Sequence, residues 1–232
     1  VGHWFKSCIW LMIKDLFPTA IYQTNIPCPD KEWEGMMDLC DEFWERNQEE
    51  INGHGNMTGD QDDQKFFMAH RSEKFYWLNY QVSKSMQEYL RGICRDTDDG
   101  KKFEYAVFVQ KAWTSVVSPH SGRVPEHLHK GSHFSAIYYL RTEGEGGVLT
   151  LCASSGFEMS PINVHERYLN YDVEVEDGDL VIFPANMMHF VSEFEGDEHR
   201  AAIVYDLFIT SCEEVDEEYE NVVTLPSYWA RI

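Results

Sequence analysis

Apolar residues recur at three- and four-residue spacing early in the chain. Trp33, Met36, Met37, Cys40, Phe43 and Trp44 form one stripe, and Asp30 is placed to cap a helix running through about Glu50. Phe75, Leu78, Val82, Met86, Leu90 and Ile93 keep to one face and predict a second helix over residues 72–94. Between them INGHGNMTGDQDDQ, rich in Gly, Asn and Asp, predicts a loop, and the earlier LFPTAIYQT reads as an extended segment opened by Pro18. After Gly100 the texture changes. Short β-rich runs follow at 103–117, 134–140, 147–152, 171–175, 180–184, 190–194 and 201–209, separated by the turn signals SPHSG, TEGEGG, EDGD and EGDE. Helices followed by many closely spaced strands predict an all-β core with flanking helices (α+β), an antiparallel sandwich or barrel whose helices cover a sheet rather than carry chemistry.

With 232 residues, 43% of them hydrophobic, the chain can bury one sizeable core and not two. The expected organisation is one domain: an N-terminal extension at 1–11, a helical support region at 12–100 and a β core at 101–232. The extension, VGHWFKSCIWL, is apolar but short and has no small-residue cleavage site, which makes it a poor signal peptide. Met12 opens a more ordinary start, so residues 1–11 are expected to have no catalytic importance. No apolar run reaches the ~20 residues a membrane span needs. The six cysteines form no CxxC pair and are scattered, which points to reduced thiols in a cytoplasmic protein rather than a disulfide scaffold or a zinc knuckle. The formal net charge is -21, with 40 acidic residues against 19 basic. Such a surface repels phosphate backbones and argues against nucleic-acid or anionic-membrane partners. An anionic substrate would need a local basic pocket opposing that field. Oligomeric state is not legible, and a homo-oligomer stays open.

Two segments carry candidate chemistry. In Pro125-Glu126-His127-Leu128-His129 the histidines stand two apart, so an extended backbone turns both to the same face. The second is GDLVIFP at 178–184, a turn, a buried strand and a bend, followed by His189. Imidazole is a common ligand for iron, zinc and copper. With ten histidines in the chain, one His-x-His pair is near what chance supplies, and each histidine alone reads as a surface or core residue. Their joint placement, one pair before a strand and one histidine after another, is what a double sheet would gather at its open end. Arg200, eleven residues after His189, begins an apolar strand. A charge there is costly unless paired, and a guanidinium grips a carboxylate through two parallel hydrogen bonds.

The residues 113–209 resemble the core of the iron(II)- and 2-oxoglutarate-dependent oxygenases. More narrowly they are similar to the bacterial and phage oxygenases with a His-x-His ahead of a Ser-Gly/Ala-x-Tyr-Tyr strand. The matching elements are HLHKGSHFSAIYYL, GGVLTL, GDLVIFPANMMHFV and HRAAIVYDLFI, and LFPTAIYQTNI resembles the start of that family. The resemblance implies a double-stranded β-helix, the jelly-roll or cupin-like barrel. It implies His127 and His189 as metal ligands and Arg200 as the residue gripping the distal carboxylate of 2-oxoglutarate; these three are the expected catalytic set. Tyr139 falls where prolyl-hydroxylase-like members aim a hydroxyl at the same carboxylate, and Ser135 shares its strand face. The implied cofactors are Fe(II) and 2-oxoglutarate as co-substrate, with ascorbate as a candidate reductant. The implied partners are O2 and a small-molecule or peptide substrate, hydroxylated as 2-oxoglutarate yields succinate and CO2.

The chain departs from the wider superfamily at one position. The usual facial triad places Asp or Glu two residues after the first histidine; here that residue is His129. Either three histidines ligate the metal, or His127 and His189 do so with His129 nearby. Glu126 points to the opposite face. Two other readings stand beside this one: a three-histidine cupin-type dioxygenase needing no 2-oxoglutarate, and a non-catalytic jelly-roll binding or structural protein. Of the remaining candidates, His120 and His133 flank the site, with a loop role favoured for His133, and His165 lies in an exposed loop or lid. Trp113 reads as core, and Asp206 as the exposed end of a strand.

Overall fold

The computed structural model describes residues 19–54, 56–58, 69–93, 105–152 and 170–211. Residues 1–11, His165 and the end of the INGHGNMTGDQDDQ segment lie outside these. The chain-order elements are β1 (Tyr22–Asn25), α1 (Asp30–His54), β2 (Asn56–Thr58), two 3-10 turns (Ala69–Arg71 and Glu73–Phe75), α2 (Tyr76–Ile93), β3 (Tyr105–Val117), β4 (His120–His127), β5 (Phe134–Arg141), β6 (Glu145–Gly146), β7 (Leu149–Cys152), β8 (Asn170–Val173), β9 (Asp179–Pro184), β10 (His189–Glu195) and β11 (Arg200–Ser211). The strands form two sheets. The larger runs β1-β9-β5-β11-β3-β2; the smaller runs β4-β10-β7-β8, with β6 against β10. Every pairing is antiparallel. This is a double-stranded β-helix.

Alternation along the central strands builds two cores. In β5, β9 and β11 one set of side chains, including Ala136, Tyr138, Leu180, Ile182, Ile203 and Tyr205, packs against the helices. The intervening set, including Ile137, Tyr139, Val181, Phe183, Ala202 and Val204, packs with Leu149, Leu151, Val173 and Val191 of the small sheet. Strands buried on both faces read as continuous apolar runs, which is why DLVIFP carries no visible alternation. Met36, Cys40 and Phe43 of α1 and Leu78, Val82, Met86 and Leu90 of α2 supply the cover. The helices therefore act as the lid of a core, as their stripes predict.

Local differences from the sequence reading have physical causes. Trp33 N donates to Pro29 O at 2.9 Å, so Asp30 is the first helical residue and not the cap; its carboxylate sits in the first turn, where the helix dipole favours it. The predicted loop at 51–64 is wrong at its start: residues 51–54 extend α1, and β2 follows. A glycine in a last helical turn costs only about 1 kcal/mol. The turn signal SPHSG hides β4. That strand is the edge of the small sheet, the one place where Pro125 is tolerated.

The connection from β5 in the larger sheet to β7 in the smaller one turns on Gly146 and Gly147, with φ of 76° and 64°. A Cβ on Gly146 would lie 2.0 Å from the backbone oxygen of Glu193, across the β6–β10 pairing. Gly146→Ala is therefore expected to cost more than the ~1–2 kcal/mol of a left-handed non-glycine residue, read as a lowered urea midpoint. A wild-type midpoint would show that this turn is free to move. Gly147 has a second reason to lack a side chain: its Cβ would stand 3.0 Å from Arg200 Cδ.

Candidate metal and carboxylate site

Strand register brings the histidines together. His127, the last residue of β4, pairs directly with His189, the first of β10. The pairing is irregular after that point, with register shifts at Val191 and Phe194, as is common beside functional sites. His129 lies two residues past β4, and its backbone N donates to Ala185 O at 2.9 Å, which pins the loop to the turn between β9 and β10. The ligand atoms of His127, His129 and His189 all fall within 4.8 Å of one another, and Nε2 of His129 is 3.2 Å from Nε2 of His189. This is the only such group among the described residues.

Each ring is turned by a hydrogen bond at its other nitrogen. His127 Nδ1 donates to Pro125 O at 2.8 Å, and His189 Nδ1 to Met187 O at 2.9 Å. His129 Nδ1 meets Asp206 Oδ1 at 2.5 Å. With the proton at Nδ1, each ring keeps an Nε2 lone pair, and the three lone pairs face one region. Burial lowers the pKa of His127 below the ordinary histidine value and that of His189 to about 3, despite the carbonyl each ring faces. Both are therefore neutral, the state in which imidazole ligates. Three imidazole nitrogens within 4.8 Å of one another fit a first-row divalent ion.

The histidines border a cavity of about 510 Å³ between the sheets. Trp113, Ile137, Leu149 and Val191 give it apolar walls; its cations are Lys111, Lys130 and Arg200, and among the described residues no carboxylate lines it. On a chain of net charge -21 this is the opposing basic pocket that an anion requires. Arg200 is 5% exposed, and its Nη2 has no hydrogen-bond partner; its guanidinium lies 4.7 Å from the Tyr139 ring centroid. The Tyr139 hydroxyl, on the same cavity, is also buried without a partner, and burial raises its pKa. Two orphaned donors in one place fit a carboxylate.

The other candidates separate clearly. Ser135 shares the inward face with Tyr139, and its hydroxyl is buried and unpartnered. It does not line the cavity; it lies beside Asp206 in register. Trp113 is core and cavity wall at once, its ring stacked on His129 at 5.5 Å. His133 accepts from Ile209 N and stacks on Phe208, a loop role. His120 starts β4 at the far end, against Glu195. Glu126 is exposed. Asp206 corrects the sequence reading. It is no exposed strand end but fully buried, beside His129 and with Lys111 Nζ 2.9 Å from its second oxygen. A lone acid in AIVYDLFI was the signal, because a buried carboxylate implies partners.

Residues 111–206 match the family described as "Putative 2OG-Fe(II) oxygenase". No curated protein matches the chain in sequence. Among solved structures the chain is similar to AviO1 from Streptomyces viridochromogenes Tue57, at 11% identity and a TM-score of 0.52 over 82% of this chain and 90% of that one. It is similar to HygX from Streptomyces hygroscopicus with nickel and 2-oxoglutarate bound, at 11% identity and a TM-score of 0.50 over 82% and 83% of the two chains. It is also similar to a prolyl hydroxylase from Trichoplax adhaerens in complex with a hypoxia inducible factor peptide fragment, at 11% identity and a TM-score of 0.50 over 81% and 83%. At that identity the likeness is one of fold, and the family match covers the strands that carry the histidines and Arg200. Residues 111–206 are thus similar to the iron(II)- and 2-oxoglutarate-dependent oxygenases, and the chain shares the fold of solved members of that family.

Proposed function

We propose that the chain hydroxylates a small molecule or a peptide side chain, using His127, His129 and His189 to hold iron(II) and Arg200 with Tyr139 to hold the distal carboxylate of 2-oxoglutarate. The observation that carries this reading is the pairing of two features in one cavity: three converging imidazole nitrogens, and a buried guanidinium whose Nη2 lacks a hydrogen-bond partner beside the buried Tyr139 hydroxyl. Iron(II), with 2-oxoglutarate and O2, supplies the oxidation of an unactivated C–H bond while the co-substrate becomes succinate and CO2. The chain's own part is orientation and exclusion of water. Arg200 and Tyr139 fix one end of the dicarboxylate, Lys111 and Lys130 favour its entry, and Trp113, Leu149 and Val191 keep the interior dry. Ser135 takes a supporting place beside Asp206 rather than a direct one on the co-substrate. A peptide is one candidate substrate, because a prolyl hydroxylase of similar fold is in complex with a peptide fragment.

The reaction is placed in the cytoplasm, where the free thiols of Cys28, Cys40 and Cys152 would persist. No helix among the described residues is long and apolar enough to cross a membrane. Ascorbate would keep the iron reduced between turnovers.

The test is O2-dependent release of succinate from 2-oxoglutarate by the iron-loaded full chain, with and without ascorbate, against a His127→Ala control. Succinate above the control is expected. Iron-dependent O2 consumption without any need for 2-oxoglutarate would instead favour a cupin-type dioxygenase. Neither activity, in a chain that also retains no iron, would leave a binding module.

A further inference from the structure

We infer that Asp206 is the positioning residue of the metal centre: it fixes His129 as a ligand and carries, one bond-length set further out, the negative charge that a facial triad would place on the metal itself. This rests on the three-histidine reading above and concerns what makes three histidines sufficient.

The geometry is closed on every side. Asp206 is fully buried in β11, at the inward-facing position of a strand that otherwise presents Ala202 and Val204 to the cavity. Its Oδ1 meets His129 Nδ1 at 2.5 Å, which selects the tautomer with Nε2 free. His129 Nε2 in turn points at His189 Nε2, 3.2 Å away. The second oxygen, Oδ2, has Lys111 Nζ at 2.9 Å, an ion pair rather than an aligned hydrogen bond. Lys111 is the cross-strand partner of Asp206 in the β3–β11 register, so the pair is built into the sheet. Trp113, two residues further along β3, closes the arrangement: His129 stacks on one side of its ring system at 5.5 Å, and Lys111 Nζ lies 4.7 Å from its centroid. His127 and His189 have only backbone carbonyls at Nδ1. His129 alone has a carboxylate. It is also the histidine at the position where the wider family carries its acidic ligand.

Carboxylate–histidine–metal chains raise the basicity of the ligand and hold its ring, and removing such a partner typically weakens metal binding by about 10–100-fold. If that is the role of Asp206, its charge matters only while an imidazole stands between it and the metal. Replacing His129 by Asp restores a directly ligating carboxylate and leaves Asp206 facing a like charge.

The test is a two-by-two comparison in the full chain: wild type, Asp206→Asn, His129→Asp and the double variant. Each is made metal-free and titrated anaerobically with Co(II), read by its visible d–d absorption, with thermal unfolding followed alongside. Asp206→Asn is expected to weaken Co(II) binding about 10–100-fold in the wild-type background and to leave it unchanged or tighter in the His129→Asp background. The same loss in both backgrounds, or no loss in either, would overturn the inference and reduce Asp206 to a partner of Lys111. A second measurement needs no variant: 15N chemical shifts of the histidine side chains in Zn(II)-loaded wild type should show His129 protonated at Nδ1 and metallated at Nε2, and the reverse would also overturn it. Wild type that takes up no Co(II) at all would sink the metal site and this inference together, an outcome distinct from the others.

Discussion

His189→Ala is expected to yield a folded chain that no longer retains iron. His189 is 2% exposed and sits where β10 begins, paired with His127 across the sheet and 3.2 Å from the Nε2 of His129. Removing it takes away the member that both other rings face. The loss of affinity should exceed the roughly 100-fold associated with losing an outer partner, so iron content after desalting should fall to background. The fold should survive, because beyond the other two imidazoles the ring packs edge-on against Phe183, and its Nδ1 donates only to Met187 O in its own segment. Circular dichroism and thermal unfolding of the metal-free variant should stay within about 1–2 kcal/mol of wild type, an ordinary cost for one substitution. His120→Ala is the control: it removes a histidine from the far end of β4 and should keep full iron content. Iron retained by His189→Ala, or lost equally by His120→Ala, would remove the case for this centre.

Arg200→Met should separate the co-substrate from the metal. The guanidinium is buried with its Nη2 unpaired, a state that costs stability and becomes favourable only when an anion arrives. Truncating one partner of a buried, hydrogen-bonded charge pair typically costs about 2–5 kcal/mol, which corresponds to a weakening of 2-oxoglutarate binding by roughly 30- to 5,000-fold. Iron content should be unchanged. Thermal stability gives an independent readout, since a ligand at 100 times its Kd stabilises by about 2.7 kcal/mol. Wild type should show that upward shift with 2-oxoglutarate, and Arg200→Met should not. Without co-substrate the variant should be at least as stable as wild type, because it removes a buried charge and keeps much of the side-chain volume. A variant that is much less stable without ligand and binds 2-oxoglutarate normally would show Arg200 to be a structural residue.

The parts of the fold legible in sequence are those with strong local patterns. The stripes of α1 and α2 are buried along most of their length, with Trp33 and Ile93 at the helix ends left exposed, and the apolar runs of β5, β9 and β11 are buried. His127 and His189 stood out through the His-x-His spacing and their joint placement beside two strands, and Arg200 because it begins an apolar strand, where a guanidinium needs a reason to be. Asp206 broke the same kind of pattern in mid-strand and was misread, although the reasoning applied to Arg200 holds for it equally: an acid among Ile, Val, Tyr, Leu and Phe must have partners. Those partners, His129 and Lys111, lie 77 and 95 positions away and meet it only through sheet register, which local pattern does not reveal. Strand β4 was missed for the opposite reason. Its glycine and proline are turn residues by composition, and only its place at a sheet edge makes them acceptable in a strand.

The two-residue alternation of β11 has an evolutionary corollary. Arg200, Ala202 and Val204 line the cavity, with Asp206 buried on the same face beside His129, while Ala201, Ile203, Tyr205 and Leu207 look toward the helices. Inserting or deleting a single residue upstream of Asp206 would invert that assignment for the whole segment, delivering a guanidinium to the helical interface and a tyrosine to the active cavity. The segment has in effect a reading frame, open to point substitution and closed to length change. The register shift between Asp206 and Leu207 falls on the β3 side, where Gln110 is the extra residue, and the alternation of β11 runs on through Leu207, so length variation among related chains should stay out of residues 200–207.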